Sequence, residues 1–330
     1  MRALVMTGPS RGSALTEVRV VREPRPGPGE VSVDVTHAGI NFLDVMERRG
    51  DAGYVRAWPH VPGREVAGTV REVGAGVEDL TVGQRVAAFV PGGGLAEVAV
   101  ARAALTVPVP DQVPLPVAAA APLMLATALL LLTDAARLGP GESVLVHSAS
   151  GGVGSALAQL IHVLGGGLRI GTVGRADKVQ SARNSGYEVA LTRGDDLAAA
   201  VGAAAGGRVD VVLDPLGTSM LDLDLEVVAP GGRIVLFGNA GGGDTLPLPS
   251  ARRLQSGNVA ISGFSISGLS VTAPHRVAEA LRRVLDLLST GRLAIAVTEI
   301  ASLDEAAATH DLLAEGRGAG KYVARLAPME

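Results

Sequence analysis

The chain has 330 residues, 47% of them apolar, with a formal net charge of −4 and a mean hydropathy of +0.33. That is enough apolar material for two domains with their own cores, and it excludes disorder and a basic nucleic-acid-binding surface. There is no cysteine, which removes disulfides, thiolate catalysis, iron–sulfur clusters and Cys-ligated zinc; the six histidines are scattered without an HExxH spacing, so no metal is expected.

In chain order, "MRALVMTGPSRG" reads as a first strand, its apolar run being too short for a signal peptide. "REPRPGPGE" (22–30) is a surface turn, and "EVSVDVTHAGI" (30–40) alternates like a half-buried strand. "NFLDVMERR" (41–49) reads as a short helix with Asn41 as N-cap, followed by strands in "REVAGTVREVG" and "QRVAAFV". From Val113 to Leu132, "VPLPVAAAAPLMLATALLLL" is uncharged and about as long as a membrane span. Pro114, Pro116 and Pro122 interrupt it, alanine makes it only weakly apolar, and no aromatic belt or cation cluster flanks it. It reads as a buried helix of a cytoplasmic protein with no membrane partner.

Beyond Arg137 the rhythm changes to strands alternating with helices. "ESVLVHS", "LRIGTV", "EVAL", "VDVVLD" and "GRIVLFG" are strands, and "VGSALAQLIHVLG", "ADKVQSARNSG" and an Asp-capped "DDLAAAVGAAAG" are helices. Such alternation implies a parallel sheet with helices on both faces. The tail departs from it, with a strand near "VAISGF", a helix over 274–289, a short helix in "DEAAATHDLLAEG" and a last strand "KYVARL". The fold class is therefore α/β: residues 1–113 and 258–330 form a β-rich domain from both termini, and 114–257 an inserted doubly wound domain.

The loop "HSASGGVGS" (147–155) admits two chemistries. It follows the first α/β strand and opens a helix, so Gly151, Gly152 and Gly154 let a pyrophosphate approach free N–H groups at a positive dipole end. Ala149 stands where the full GxGxxG pattern has its first glycine. Alternatively, "SASGG" fits a nucleophile elbow, with Ser150 as the nucleophile of a serine hydrolase, Asp214 as its acid and His275 or His310 as its base. Against this, the elbow would sit on the first α/β strand, the β-rich front would have no role, and His310 reads as a surface residue of a helix. The second strand ends "TVGRADK", with no acid for a ribose 2′-hydroxyl, and Gly174-Arg175 followed by Lys178 places two cations where a 2′-phosphate would lie. That favours NADPH over NADH. A binding module that holds NADPH without turnover is a third reading.

Nearly the whole chain resembles the medium-chain dehydrogenase/reductase superfamily, and within it the zinc-free quinone oxidoreductases and the enoyl reductase domains of polyketide synthases. The resemblance rests on "AGINFLDVMERRG" (38–50), "VPGREVAGTVREVGAGV" (61–77), "VGQRVAAF" (82–89), "GGGLAEVAV" (92–100), "SVLVHSASGGVGSALAQL" (143–160), "VDVVLDPLG" (209–217), "GGRIVLFG" (231–238) and "GKYVARL" (320–326). It implies a GroES-like β domain around a Rossmann domain, with the active site between them, and commonly a homodimer. Zinc-dependent relatives carry "GHE" where this chain has Gly63-Arg64-Glu65, and a cysteine near Asn41; both ligands are missing. The resemblance implies that Asn41, Asp44 and Thr127 lie near the nicotinamide, with Tyr54 as a candidate active-site tyrosine. It implies that Ser150, Gly151, Gly152, Val153 and Gly154 cradle the pyrophosphate. Gly174, Arg175, Lys178 and Thr192 would meet the adenosine phosphate end. Thr192 stands where relatives have a tyrosine, which weakens the expected affinity. Phe237, Gly238 and Asn239 would pass the cofactor, and Lys321 is grouped with the cofactor-binding residues. The implied reaction is hydride transfer from NADPH to a quinone, an enone or an enoyl thioester, with the Asn41 amide and Tyr54 hydroxyl among the donors that meet developing negative charge.

Overall fold

The computed structural model describes residues 1–242 and 247–326. The chain divides into two compact units, Met1–Ala126 with Ile266–Glu330, and Thr127–Ser265. Both boundaries fall later in the chain than 113/114 and 257/258.

The first unit is completed by the far end of the chain. Strand Lys321–Arg325 pairs antiparallel with Glu30–Ile40, placing Tyr322 opposite Ile40 and Arg325 opposite His37. The sheet runs Val297–Ile300, Lys321–Arg325, Glu30–Ile40, Glu65–Val73, Arg85–Phe89, Thr106–Pro108, and Val98–Arg102 also pairs with Glu30–Ile40. Glu30–Ile40 was expected to show one face to solvent, yet Val31, Ser32 and Val33 are all buried. The strand serves three partners and shifts register at Ser32/Val33 and Val35/His37, so its sides are covered in turn.

The apolar run after Val113 is buried, but it is not one helix. An α turn at Leu115–Ala118 gives way to a π-helical turn at Ala121–Leu125, then to α at Ala126–Leu130 and π again at Leu131–Ala135. Pro122 has no N–H to give, and the wider turn sends two of its neighbours' amides elsewhere: Leu123 and Met124 donate to the Glu65 carboxylate at 2.8 and 3.2 Å. Among the described residues no helix is long and apolar enough to cross a membrane.

Helix Phe42–Arg49 packs on helix Ala306–Ala314 within the same unit, and this contact buries charge. His310, expected at the surface, has no exposed area; its Nε2 lies 3.6 Å from Oδ2 of the equally buried Asp44. A single helical pattern cannot reveal that both faces of a short helix are covered. Arg48 is likewise fully buried and donates to Asp311 at 2.7 Å and to the Arg11 carbonyl at 3.2 Å.

The second unit contains a six-stranded sheet: β1 (Val144–Val146), β2 (Arg169–Val173), β3 (Val189–Thr192), β4 (Val209–Asp214), β5 (Val228–Leu236) and β6 (Ala260–Gly263). Every pairing is parallel and the spatial order is β3-β2-β1-β4-β5-β6. This is the Rossmann order, which reverses direction at β1 and opens a binding crevice beyond the strands' C-terminal ends. Leu145, Ile170, Val209, Val212 and Ile234 form the centre of its core. Asp196 precedes helix Leu197–Ala205 as expected, without a side-chain cap hydrogen bond.

Asp311→Ala leaves the Arg48 guanidinium buried beside one carbonyl. Stability should fall by about 2–3 kcal/mol, the low end for a broken buried pair because Asp311 still meets solvent. The double variant Arg48→Met/Asp311→Ala should lose less, read from urea midpoints at constant m.

Candidate active site

In the second unit the chain leaves β1 through Ser148, which takes a left-handed conformation at φ 56°, and enters helix Gly152–Val163 after Gly151. The turn is too close for a side chain at 154: a Cβ there would stand 2.5 Å from the Ser148 carbonyl oxygen and 2.7 Å from that of Ala149. With Gly154 the helix start packs against the strand's end. The Gly151 N–H is accepted by Ser148 at 3.0 Å, and no acceptor meets the N–H groups of Gly152, Val153 and Gly154 among the described residues. Three aligned donors at the positive end of a twelve-residue helix form an anion cradle. Ser150 lines it and is buried.

Beside it, β2 ends at Val173 and Gly174 follows. Arg175 is exposed and held by Asp177, with Nη2 to Oδ2 at 2.8 Å. Lys178 is half-buried, and burial, with repulsion from Arg175 and Arg193, holds its ammonium below the usual lysine value. Thr192, the last residue of β3, is exposed. Arg193 follows it with its guanidinium against Gly174, and sequence reasoning passed it over. The segment Phe237–Asn239 leaves β5 alongside the loop after β4: Phe237 N–H donates to Asp214 O and Ala240 N–H to Pro215 O, both at 2.9 Å.

Behind β1 lies a buried polar cluster. The His147 ring meets Thr172 Oγ1 at 2.7 Å through Nδ1 and Asp224 Oδ1 at 2.8 Å through Nε2. Asp214 is buried at the end of β4, where one oxygen accepts the Leu216 N–H at 2.7 Å and the other has no partner. Burial, with Asp224 adding repulsion, pushes its carboxyl up to about 7. The hydrolase reading fails on these contacts. Asp214 bonds to no histidine, His310 faces Asp44, and His275 is exposed.

In the first unit Lys321 is 3% exposed. Its ammonium donates to Ile40 O at 2.9 Å, to Asn41 Oδ1 at 2.7 Å and to Glu65. An ammonium has three N–H groups, and all three are used. Lys321 therefore has no N–H left over in this arrangement, and its contacts orient Asn41. Asn41 Nδ2 donates to Glu65 at 3.0 Å and to Gly39 O at 3.3 Å. Both amide hydrogens are engaged, so Asn41 offers an oxygen lone pair and not the N–H expected to meet negative charge. Asp44 accepts the Asn41 backbone N–H at 2.7 Å, fixing the start of helix Phe42–Arg49. Tyr54 lies half-buried in the loop after that helix, with its carbonyl 3.4 Å from Arg64. Burial, with Asp51 adding to it, lifts its phenol above the usual value, so it stays protonated at neutral pH. Thr127 is buried in helix Ala126–Leu130.

Residues 27–111 match the model of the alcohol dehydrogenase GroES-like domain, and residues 152–286 that of the zinc-binding dehydrogenase. A probable quinone oxidoreductase of Schizosaccharomyces pombe is 34% identical over 327 residues, covering 96% of this chain and 94% of the relative. The chain belongs to the medium-chain dehydrogenase/reductase superfamily. It is an oxidoreductase with the GroES-like and Rossmann units of that superfamily. A polyketide synthase protein of the spectinabilin system from Streptomyces orinoci is 35% identical over 302 residues, which are 91% of this chain and 13% of that much longer protein. The crystal structure of Escherichia coli quinone oxidoreductase complexed with NADPH superposes with a TM-score of 0.89 at 27% identity, covering 98% of this chain and all of that one.

Zinc, which one family model carries in its name, does not fit the residues present. Among the described residues no three His, Cys, Asp or Glu side chains converge as a metal site. Glu65 is already paired with the buried Lys321 ammonium, and Arg64, in place of a ligand, is paired with Glu47 at 2.8 Å. Two fixed cations there would repel a third.

Asp214 yields a pH-dependent signature. Its folded carboxyl binds a proton more tightly than the unfolded one, whose value is about 3.9. Its contribution to stability is thus complete below about pH 4 and lost as pH rises through about 7. Asp214→Asn, neutral throughout, should gain stability over the parent between those limits, read as a urea-midpoint difference that grows with pH. A difference independent of pH would contradict the assignment.

Proposed function

We propose that this protein is a zinc-independent, NADPH-dependent reductase of quinones or of activated C=C bonds in enones and enoyl thioesters, working as a cytoplasmic homodimer. The observation that carries the reading is the set of three unaccepted N–H groups at the start of helix Gly152–Val163, with the cations at the end of β2 in the same unit. Pyrophosphate would take the first and an adenosine 2′-phosphate the second. The E. coli structure complexed with NADPH supports the cofactor, and the yeast and polyketide synthase relatives support the two acceptor classes.

When bound, NADPH supplies a hydride from its nicotinamide ring. The chain's residues bind and orient. Ser150 and Gly151 to Gly154 hold the pyrophosphate, Phe237 to Asn239 pass beside it, and Thr127 of the same unit orients the reacting end. With both Asn41 hydrogens engaged by Glu65 and Gly39, negative charge developing on an acceptor oxygen falls to backbone N–H groups and to the protonated Tyr54 hydroxyl. Asp44 acts through the helix start that carries Asn41.

The test is equilibrium binding of NADPH, followed by its oxidation in the presence of quinones, enones and enoyl thioesters compared side by side. Binding and turnover with at least one class are expected. Gly154→Val, which drives a side chain into the Ser148 and Ala149 carbonyls, should weaken NADPH binding at least about tenfold, a loss of about 1.4 kcal/mol. Protein that neither binds NADPH nor consumes it with any of the three classes would reject the proposal.

A further inference from the structure

The end of β2 is arranged around a residue outside the "GRADK" stretch. Arg193 is the first residue after β3, and its backbone N–H donates to Val173 O at 2.9 Å, so it starts beside the tip of β2. Its side chain then crosses to Gly174. A Cβ at 174 would stand 2.6 Å from Arg193 Nη2, so the guanidinium fills the space that an acid at this position would need to reach a ribose.

This guanidinium is unmatched. Arg175 pairs with Asp177, Arg169 with Glu188 and Arg233 with Glu142. Arg193 has no side-chain hydrogen bond or ion pair among the described residues, and its Nη1 is buried without an acceptor. Asp214 attracts it without bonding to it. Lys178 lies close enough for the two cations to repel, and burial weighs against the charged form of both. Two partly desolvated cations with no carboxylate bonded to the guanidinium are unfavourable until an anion joins them.

We propose that Arg193, with Lys178, holds the 2′-phosphate of NADPH and sets the preference over NADH, while Arg175 contributes little. The proposal rests on the NADPH reading above. The planar fork matches two phosphate oxygens and lysine adds a point charge. Arg175 is the weaker candidate because it is more than half exposed and already engaged by Asp177, as the side-chain exposures of 53% and 60% show.

The experiment measures equilibrium affinities for NADPH, NADH and 2′,5′-ADP with the full chain, without turnover. The parent should prefer NADPH. Arg193→Ala should weaken NADPH and 2′,5′-ADP by about 10- to 100-fold, the range for losing charge-assisted hydrogen bonds, and leave NADH within a few-fold. Arg193→Lys should recover part of the loss, and Arg175→Ala should change the ratio only a few-fold. Gly174→Asp is a second variant whose new carboxylate would meet only the mobile end of the Arg193 side chain; it should lower the NADPH preference while melting near the parent temperature. An unchanged ratio in Arg193→Ala, equal loss of NADPH and NADH, or a loss carried by Arg175→Ala overturns the assignment to Arg193. A parent that binds none of the three ligands overturns the cofactor reading itself, so the two failures are distinguishable.

Discussion

A carboxylate without exposed surface has to be met by donors from every side, and Glu65 is met by four residues from three places in the sequence. Lys321 brings the compensating charge from the last described strand, Asn41 brings an amide from the end of Glu30–Ile40, and Leu123 and Met124 bring backbone N–H groups from a π-helical turn. One buried charge therefore ties together the first unit's last described strand, its irregular helix and the orientation of Asn41. If the carboxylate were removed, the Lys321 ammonium would stay buried with only two acceptors and the π turn would lose the acceptor for two amides.

The parts of the fold that were legible from the sequence are those with a period. The alternation of strands and helices after Arg137 predicted the parallel sheet of the second unit, and the glycine loop was placed correctly between β1 and its helix. The return of the C-terminal strand to the first unit was also readable, because "KYVARL" breaks that alternation. Long-range pairing of single charges was much less readable. Glu65 and Lys321 are opposite charges that each open a strand otherwise apolar over its next few residues, a signal that was present but passed over, and Pro122 foretold an interruption without saying that Glu65 would collect the displaced amides. His310 shows the same limit, since its burial depends on which helix lies opposite.

At the candidate site the sequence was a better guide to residue types than to their partners. A cationic end to β2 was visible in "GRADK", but proximity along the chain favoured Arg175, which finds Asp177 two residues away. Arg193 is 19 positions beyond Gly174 and meets it only because β3 lies against β2 in register. Parallel neighbours bring together residues that follow the ends of successive strands, so cations recruited from two strand ends surround an anion better than cations within one turn.

The split organisation also bears on how the molecule can be made. Residues 127–265 form one uninterrupted stretch, so the parallel sheet of the second unit has all its strands as soon as β6 has left the ribosome. The first unit cannot finish then. Until Lys321 is synthesised, the growing chain holds Glu65 without its cation and Glu30–Ile40 with an open edge where Lys321–Arg325 will pair. Between the synthesis of β6 and that of Lys321 the first unit is thus the unfinished one, and the inserted unit can fold first.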